Sequence, residues 1–325
     1  MERASPLYPL KFHPILKTKV WGGDKLNQIL KKSNNKNLGE SWEISAVDDN
    51  ISQVSNGSLA GKNLQWLLEN YQDDLVGEKV YQKFGNTFPL LFKFIDAKED
   101  LSVQVHPDDS LAKSRHNTFG KTEMWYILDV EKNSKLVLGF KEGTEKSDYL
   151  QSLSENRIPE ILHFESIKRN DVFLVKPGTV HAIGAGILLA EIQQTSDITY
   201  RIYDWDRPDT NGQLRQLHTE LALNAIDFEP FRGKLDYSEK QNLLVPIGRT
   251  DFFSVNKLVL PKDYLQDLKG ISSFVVYMCI EGDAIIEVDS FSEEIRKGET
   301  VLIPAYFPEI KFITNSATLL EVYIP

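Results

Sequence analysis

The chain has 325 residues, 41% of them hydrophobic and 26% charged, with a formal net charge of -10. That length suits about two domains, or one large domain with an extension. The charge excludes the basic face that a nucleic-acid partner needs, no apolar run approaches a membrane span, and Met1–Tyr8 has no hydrophobic signal core.

In chain order, Tyr8-Pro9-Leu10-Lys11-Phe12 reads as an entering strand and Val20-Trp21-Gly22-Gly23-Asp24 as a turn. Gly39–Ser45 alternates and reads as a strand. Apolar residues at 64, 67, 68 and 71 have helical spacing, with Asn63 as a candidate N-cap. From Phe88 onward strands follow one another: 89–96, then the segment through Gln104 and His106, then 124–128 and 135–140. A short polar helix is expected over 147–153, strands over 171–175, 187–194 and 199–203, and a short helix over 220–226. The tail from about 245 is again strand after strand, clearest at 284–288, 300–304 and 318–324. Cys279, the one cysteine, lies in such a strand, so a buried thiol is expected rather than a nucleophile, and no intrachain disulfide can form. A cytoplasmic location is the expectation that accords with this.

Many short strands with Gly and Pro turns predict sandwich or jelly-roll architecture. Asn170-Asp171-Val172-Phe173-Leu174-Val175 runs parallel to Gly298-Glu299-Thr300-Val301-Leu302-Ile303, as in a duplicated module. All six histidines precede residue 219, so a second copy would lack a metal site. The division expected is 1–240, with a small helical insertion near 60–85, and 241–325.

The segment Leu101-Ser102-Val103-Gln104-Val105-His106-Pro107-Asp108 carries the most chemistry. Strand side chains alternate, so Ser102, Gln104 and His106 share one face and Val103 and Val105 the other. Valines suit packing, while an amide and an imidazole together suit a site, with an Asp-rich loop just after. Glu123 reads as a functional carboxylate or as a cross-strand salt-bridge partner. The Pro177-Gly178 turn before His181 either closes a hairpin or presents a ligand. Together the four would offer two imidazoles, a carboxylate and an amide oxygen to a divalent metal. His13, His116, His163 and His218 read as ordinary half-buried residues.

Pro-Gly-x-x-His after a strand resembles the second cupin motif, and Gln-x-His followed by Glu resembles the first with glutamine replacing its first histidine. With Gly120-Lys121-Thr122-Glu123-Met124, Trp21-Gly22-Gly23, Gly39-Glu40-Ser41-Trp42-Glu43 and Gln193–Arg201, the chain resembles the type I mannose-6-phosphate isomerase family in its short bacterial form. The resemblance implies a mainly β fold of two cupin-like jelly-roll β-barrel modules with a few short helices. It implies one Zn²⁺ per chain held by Gln104, His106, Glu123 and His181, an active-site Arg201, a conspicuous Lys121, and Ser102 on the substrate side. Against the long eukaryotic forms the helical domain must be reduced, and Asn170-Asp171 stands where cupins usually have a glycine turn.

The implied reaction moves a proton between C1 and C2 of an opened sugar phosphate through an enediol. Glu191, ten residues past His181, is one base candidate and Lys121 another; Arg201 suits charged or hydroxyl oxygens because it stays protonated. Lys98, Lys121 and Arg201 are candidate phosphate contacts. The competing expectations are a cupin Fe(II) dioxygenase using His106, Glu123 and His181, and a non-catalytic sugar-binding regulator. A small sugar phosphate is the expected partner, with no nucleic acid and no membrane; the sequence sets no oligomeric state, and a monomer is compatible with it.

Overall fold

The computed structural model describes residues 6–208 and 212–325. Its first module is two antiparallel sheets packed face to face. One has seven strands in the spatial order Lys234–Leu235, Val172–Val175, Glu123–Val130, Ile187–Gln194, Leu90–Ala97, Ile15–Gly23 and Leu38–Ile44. The other has five: Leu162–Ser166, Lys135–Phe140, His181–Ile183, Val103–Val105 and Tyr200–Tyr203. Trp125, Ile127, Leu189 and Ile95 from the first meet Leu136, Leu138 and Ile183 from the second, which makes the apolar floor between them.

Alternation assigns every face. Met124, Tyr126, Leu188, Ala190 and Ile192 point away from the five-stranded sheet, into a core shared with the helices and the second module. Their neighbours Glu123, Trp125, Leu189 and Glu191 take the opposite face. Both faces of the sheet's central strands are therefore buried, and Leu90–Ala97 and Ile187–Gln194 are each buried at all eight positions. On the five-stranded sheet, Val103, Val105, Ala182 and Tyr200 pack outward against Tyr149 and Ile158 of a helical layer. The packing face expected for the valines is the one observed.

The second module is built on two long strands, Val275–Val288 and Glu309–Tyr323, which pair with each other along most of their length. The first half of Val275–Val288 pairs with Thr300–Ile303 and the second half with Phe291–Arg296. Glu309–Tyr323 likewise serves Tyr264–Asp267 and then Ser254–Leu260. Bulges near Cys279 and Asp283 let one strand turn between layers, and Gly282 at φ +70° is where a side chain would strike the Ser316 carbonyl. The fold is thus mainly β, with few helices, and cupin-like in both modules. The entering strand, Leu10–Lys11, pairs with Leu302 and Val301 of the second module, so the chain start is stitched to its end.

The turns support the internal parallel. Asn170 at φ +72° and Gly298 at φ +87° each precede the matching strands Val172–Val175 and Thr300–Ile303. Asparagine reaches the left-handed region through local side-chain hydrogen bonding, so it replaces the glycine at small cost.

The helical stretch expected near 60–85 is the pair Leu64–Val76 and Glu78–Phe84, with the Asn63 side chain accepting from the Trp66 N–H at 2.8 Å. Two expectations need correction. Val20–Gly23 is not a turn but the end of strand Ile15–Gly23; Gly22 pairs with Ala97, and a Cβ there would lie 2.4 Å from the Asn37 carbonyl oxygen. The glycine marks a close backbone approach, not a reversal. The Asp-rich loop after His106 is helix Asp109–His116, N-capped by the Asp108 carboxylate on the Leu111 N–H. Its side chains are almost all polar, so the apolar period that betrays a helix is missing.

Candidate metal centre in a charged cavity

Three strands of the five-stranded sheet bring their polar residues into one row. His181 sits directly opposite Gln104, and Gln104 directly opposite Arg201. His106 follows Val103–Val105 on the same face as Gln104. Glu123 arrives from the facing sheet, at the first position of Glu123–Val130. The site therefore lies between the sheets, at the end of the sandwich where inward positions change from apolar to charged. Along Leu90–Ala97 the change is from Ile95 to Lys93, and along Ile187–Gln194 from Leu189 to Glu191.

His106, Glu123 and His181 are each about 1% exposed, and their donor atoms lie within 4.8 Å of one another. His106 Nε2 is 3.4 Å from Glu123 Oε1, and His181 Nε2 is 3.7 Å from Glu123 Oε2. The other ring nitrogens are engaged: Nδ1 of His106 donates to the Ile198 carbonyl at 2.8 Å, and Nδ1 of His181 to the Thr179 carbonyl at 2.9 Å. These bonds fix the tautomer and turn each Nε2 lone pair toward Glu123. His106 Nε2 and Glu123 Oε2 have no hydrogen-bond partner although both are buried. Orphaned buried acceptors facing one another are costly for a protein and suit a cation. The Gln104 carboxamide nitrogen lies 3.3 Å from His181 Nε2, and the amide turned over offers its oxygen to the same point.

Electrostatics keep the donors in the ligating state. Burial, helped by the Lys121 ammonium, pushes His106 down to about 3, and burial lowers His181 as well. Burial opposes ionisation of Glu123, but Lys121, His106 and His181 hold its carboxyl well below the usual carboxylate range. Neutral imidazoles and an ionised carboxylate are what a divalent metal takes.

A cavity of about 220 Å³ opens beside this cluster and reaches Ser102, Gln104, Lys121, Glu123, Glu191 and Arg201. Lys121 is 4% exposed, with Nζ 3.3 Å from Glu123 Oε1. Arg201 Nε donates to Ser102 Oγ at 3.2 Å and Nη1 to the Gln216 carbonyl at 2.9 Å. Burial and the neighbouring Arg215 guanidinium lower the Arg201 pKa, so its charge lacks full compensation. Glu191 Oε1 accepts from Trp125 Nε1 at 2.9 Å; Oε2, buried without a hydrogen bond of its own, lies 2.9 Å from Lys93 Nζ as an ion pair. Burial and Glu123 raise its pKa, against the pull of Lys93 and Lys121.

Lys98 does not join them. It is exposed just past strand Leu90–Ala97, and it is not among the residues lining this cavity. The cations found there instead are Lys19, Lys93 and Arg215, none of them singled out from the sequence. Arg215 is clamped by both oxygens of Asp204, which also pairs with Arg207. The signal for Lys93 was present in its strand, a lysine in an otherwise apolar run whose period-2 face it shares with Ile95. His218 is closer to the site than expected: its Nδ1 accepts from the Arg201 backbone N–H at 3.1 Å.

Sandwich, duplicated turn and buried His–Glu–His cluster together define a cupin with a candidate centre for one metal ion. Comparison with known proteins narrows the class. Residues 10–139 match the family model for the catalytic domain of type I phosphomannose isomerase, and residues 246–324 that for the cupin domain of mannose-6-phosphate isomerase. Mannose-6-phosphate isomerase ManA of Bacillus subtilis is 36% identical over 307 residues, covering 93% of this chain and 95% of ManA. The mannose-6-phosphate isomerase of Streptococcus mutans is 31% identical over 299 residues, covering 91% and 92%. A crystal structure of mannose 6-phosphate isomerase from Bacillus subtilis superimposes with a TM-score of 0.88 at 32% identity, covering 98% of this chain and all of that one. The chain belongs to the type I phosphomannose isomerase family.

Proposed function

We propose that this chain interconverts mannose 6-phosphate and fructose 6-phosphate by proton transfer through an enediol, with one Zn²⁺ held by Gln104, His106, Glu123 and His181. The observation that carries this reading is the pair of unpartnered buried atoms His106 Nε2 and Glu123 Oε2, next to a cavity lined by five basic and four acidic side chains, of which Arg201 has no carboxylate in salt-bridge contact among the described residues, in a protein of net charge -10. Local cations of that kind are what an anionic sugar needs here. The names of the relatives supply mannose 6-phosphate, and fructose 6-phosphate is its ketose isomer across C1 and C2.

Zinc bound there supplies a fixed positive charge that polarises the sugar carbonyl and makes the neighbouring C–H more acidic. The remaining work falls to side chains. Glu191 takes the proton from C2 as that C–H bond breaks and returns it to C1; its raised pKa suits a group that must both accept and release. Lys121 and Arg201 offer donors to O1 and O2, between which the second proton passes. Arg201 meets charge developing on those oxygens with a planar fork that Ser102 and Gln216 hold in place. Arg215, facing the same cavity, is assigned to the phosphate. We place the enzyme in the cytoplasm, where a free buried thiol such as Cys279 is at home.

A two-histidine, one-carboxylate iron centre is the second reading, favoured by the His106–Glu123–His181 triad taken alone. Gln104 beside His181, and Lys121, Arg201 and Arg215 at the same cavity, favour zinc and a sugar phosphate. Metal analysis of protein purified without added metal, with a coupled assay on mannose 6-phosphate, separates them. The expected result is about one zinc per chain, turnover lost on chelation and restored by Zn²⁺. Unchanged turnover in verified metal-free protein, or iron with no isomerase activity, overturns the proposal.

A further inference from the structure

Behind the metal cluster, charges of alternating sign run across the inner face of the seven-stranded sheet, from the partly exposed Lys19 to the buried Lys93 and Glu191. Lys19 Nζ lies 3.1 Å from Glu40 Oε1, Glu40 Oε2 accepts from Trp42 Nε1 at 2.6 Å, and Trp42 stands opposite Lys93. Lys93 stands opposite Glu191, and Glu191 opposite Trp125. Against their burial, Lys93 and Lys19 hold Glu40 below the usual carboxylate range, and Glu191 and Glu40 hold Lys93 protonated.

Lys93 is the knot in this row. It is 4% exposed, and its ammonium reaches Glu191 Oε2 at 2.9 Å and Gln193 Oε1 at 2.7 Å. Gln193 spends its own amide hydrogens on the Gln194 and Ser196 carbonyls, at 2.9 and 2.6 Å, so its oxygen can only face the ammonium. That ties Lys93 to the segment 194–198, whose Ile198 carbonyl orients His106. A buried ion pair is weak support for stability, since well-packed apolar residues often replace one without loss. Its presence at the wall of a cavity therefore asks for a use beyond the fold.

We propose that Lys93 is a positioning residue for the isomerisation: it holds the Glu191 carboxylate at the angle set jointly with the Trp125 indole, so that this carboxylate faces the reacting carbons. Lys93 keeps its proton throughout and, although it lines the cavity, the role assigned to it runs through Glu191. The assignment rests on the functional reading above. Misplacement of a reacting group by about 1 Å can cost on the order of 100-fold in rate, and that is the loss expected in kcat for Lys93→Met.

The test is a double-mutant cycle on the full zinc-loaded chain, assaying mannose 6-phosphate, with zinc content and circular dichroism measured on each protein. Lys93→Met is expected to lose kcat by about 100-fold while KM moves less than about threefold and bound zinc is unchanged. Glu191→Gln loses at least as much, and the double variant is no slower than Glu191→Gln alone, because Lys93 acts only through Glu191. If Lys93→Met does not fold, Lys93→Gln carries the same cycle. Wild-type kcat in the Lys93 variant, losses that multiply in the double variant, or loss of zinc from the Lys93 variant each overturn the positioning role. An unaltered chain without isomerase activity overturns the functional reading and this assignment with it; an active chain with an unaffected Lys93 variant overturns this assignment alone.

Discussion

The two modules share an architecture and a turn, yet their interiors have opposite contents. In the first, inward positions at one end carry His106, Glu123, His181, Lys93 and Glu191, with orphaned acceptors among them. In the second, Val276, Met278, Ile286, Phe312, Leu320 and Val322 fill the core, and Glu321 is satisfied by Asn256 and Tyr277, both at 2.8 Å. The same sandwich thus holds either a site or a packed core. The difference lies in which buried polar groups lack partners: ionisable ones, His106 Nε2 and Glu123 Oε2, in the first module, and the neutral Ser254 Oγ, Gln266 Oε1 and Thr300 Oγ1 in the second, whose carboxylate Glu321 is closed on its neighbours. The closed module lends its core to the back of the seven-stranded sheet, and so steadies the open one.

The contrast can be broken most severely at His181. His181→Ala is expected to release most of the zinc and reduce turnover to below about 1% of the unaltered chain, since loss of an imidazole leaves too few donors; full zinc occupancy by metal analysis would refute the ligand assignment. Arg201 gives the next largest effect. Arg201→Ala should lower kcat by a few kcal/mol in activation free energy, on the order of 10²–10³-fold, with normal zinc content. Arg201→Lys should recover little, because an ammonium cannot reproduce the planar fork. Near-normal kcat/KM in the alanine variant would leave Arg201 a structural residue holding Ser102 and Gln216.

The closed module makes the opposite prediction. Burial raises the Glu321 pKa despite the Asn256 and Tyr277 bonds. A carboxyl raised in the folded state contributes stability that is present below its unfolded pKa and is lost as pH rises through the folded one. Glu321→Gln should therefore gain on the unaltered chain as pH rises from about 4.5 toward neutrality, read from urea midpoints, with isomerase activity unchanged. A variant that loses ground as pH rises would show that the carboxylate is welcome in this core. The smallest effect is expected at the bridge between modules. Arg169 Nη2 lies 2.6 Å from Glu281 Oε2, but both side chains are about half exposed, so Arg169→Ala should shift unfolding by less than about 1 kcal/mol. A larger shift would mean that this pair, rather than the shared apolar core, couples the modules.

Alternation and turn chemistry in the sequence were enough for the β architecture, for the outward face of Val103 and Val105, and for a second module without histidine. They singled out His106, Glu123 and His181 as metal-capable groups with ordinary alternatives left open; the resemblance to the family is what joined them into one ligand set. They misled at Gly22, where close approach imitates a turn, and at Asp109–His116, where a polar helix has no apolar period. Lys98, named as a candidate cation for a phosphate, is exposed just past strand Leu90–Ala97 and outside the cavity lining.

Residue types and their period of two are local properties, and they determined which side of each strand could carry chemistry. Which strands became neighbours was decided only by the tertiary fold, through burial of the apolar faces on both sides of the seven-stranded sheet. That pairing places Lys93 between Trp42 and Glu191, and Glu191 between Lys93 and Trp125, from strands up to about a hundred and fifty residues apart in the chain. A lysine in an apolar run has no partner until the sheet is assembled, and its charge is tolerable there only because the neighbouring strands deliver carboxylates to meet it.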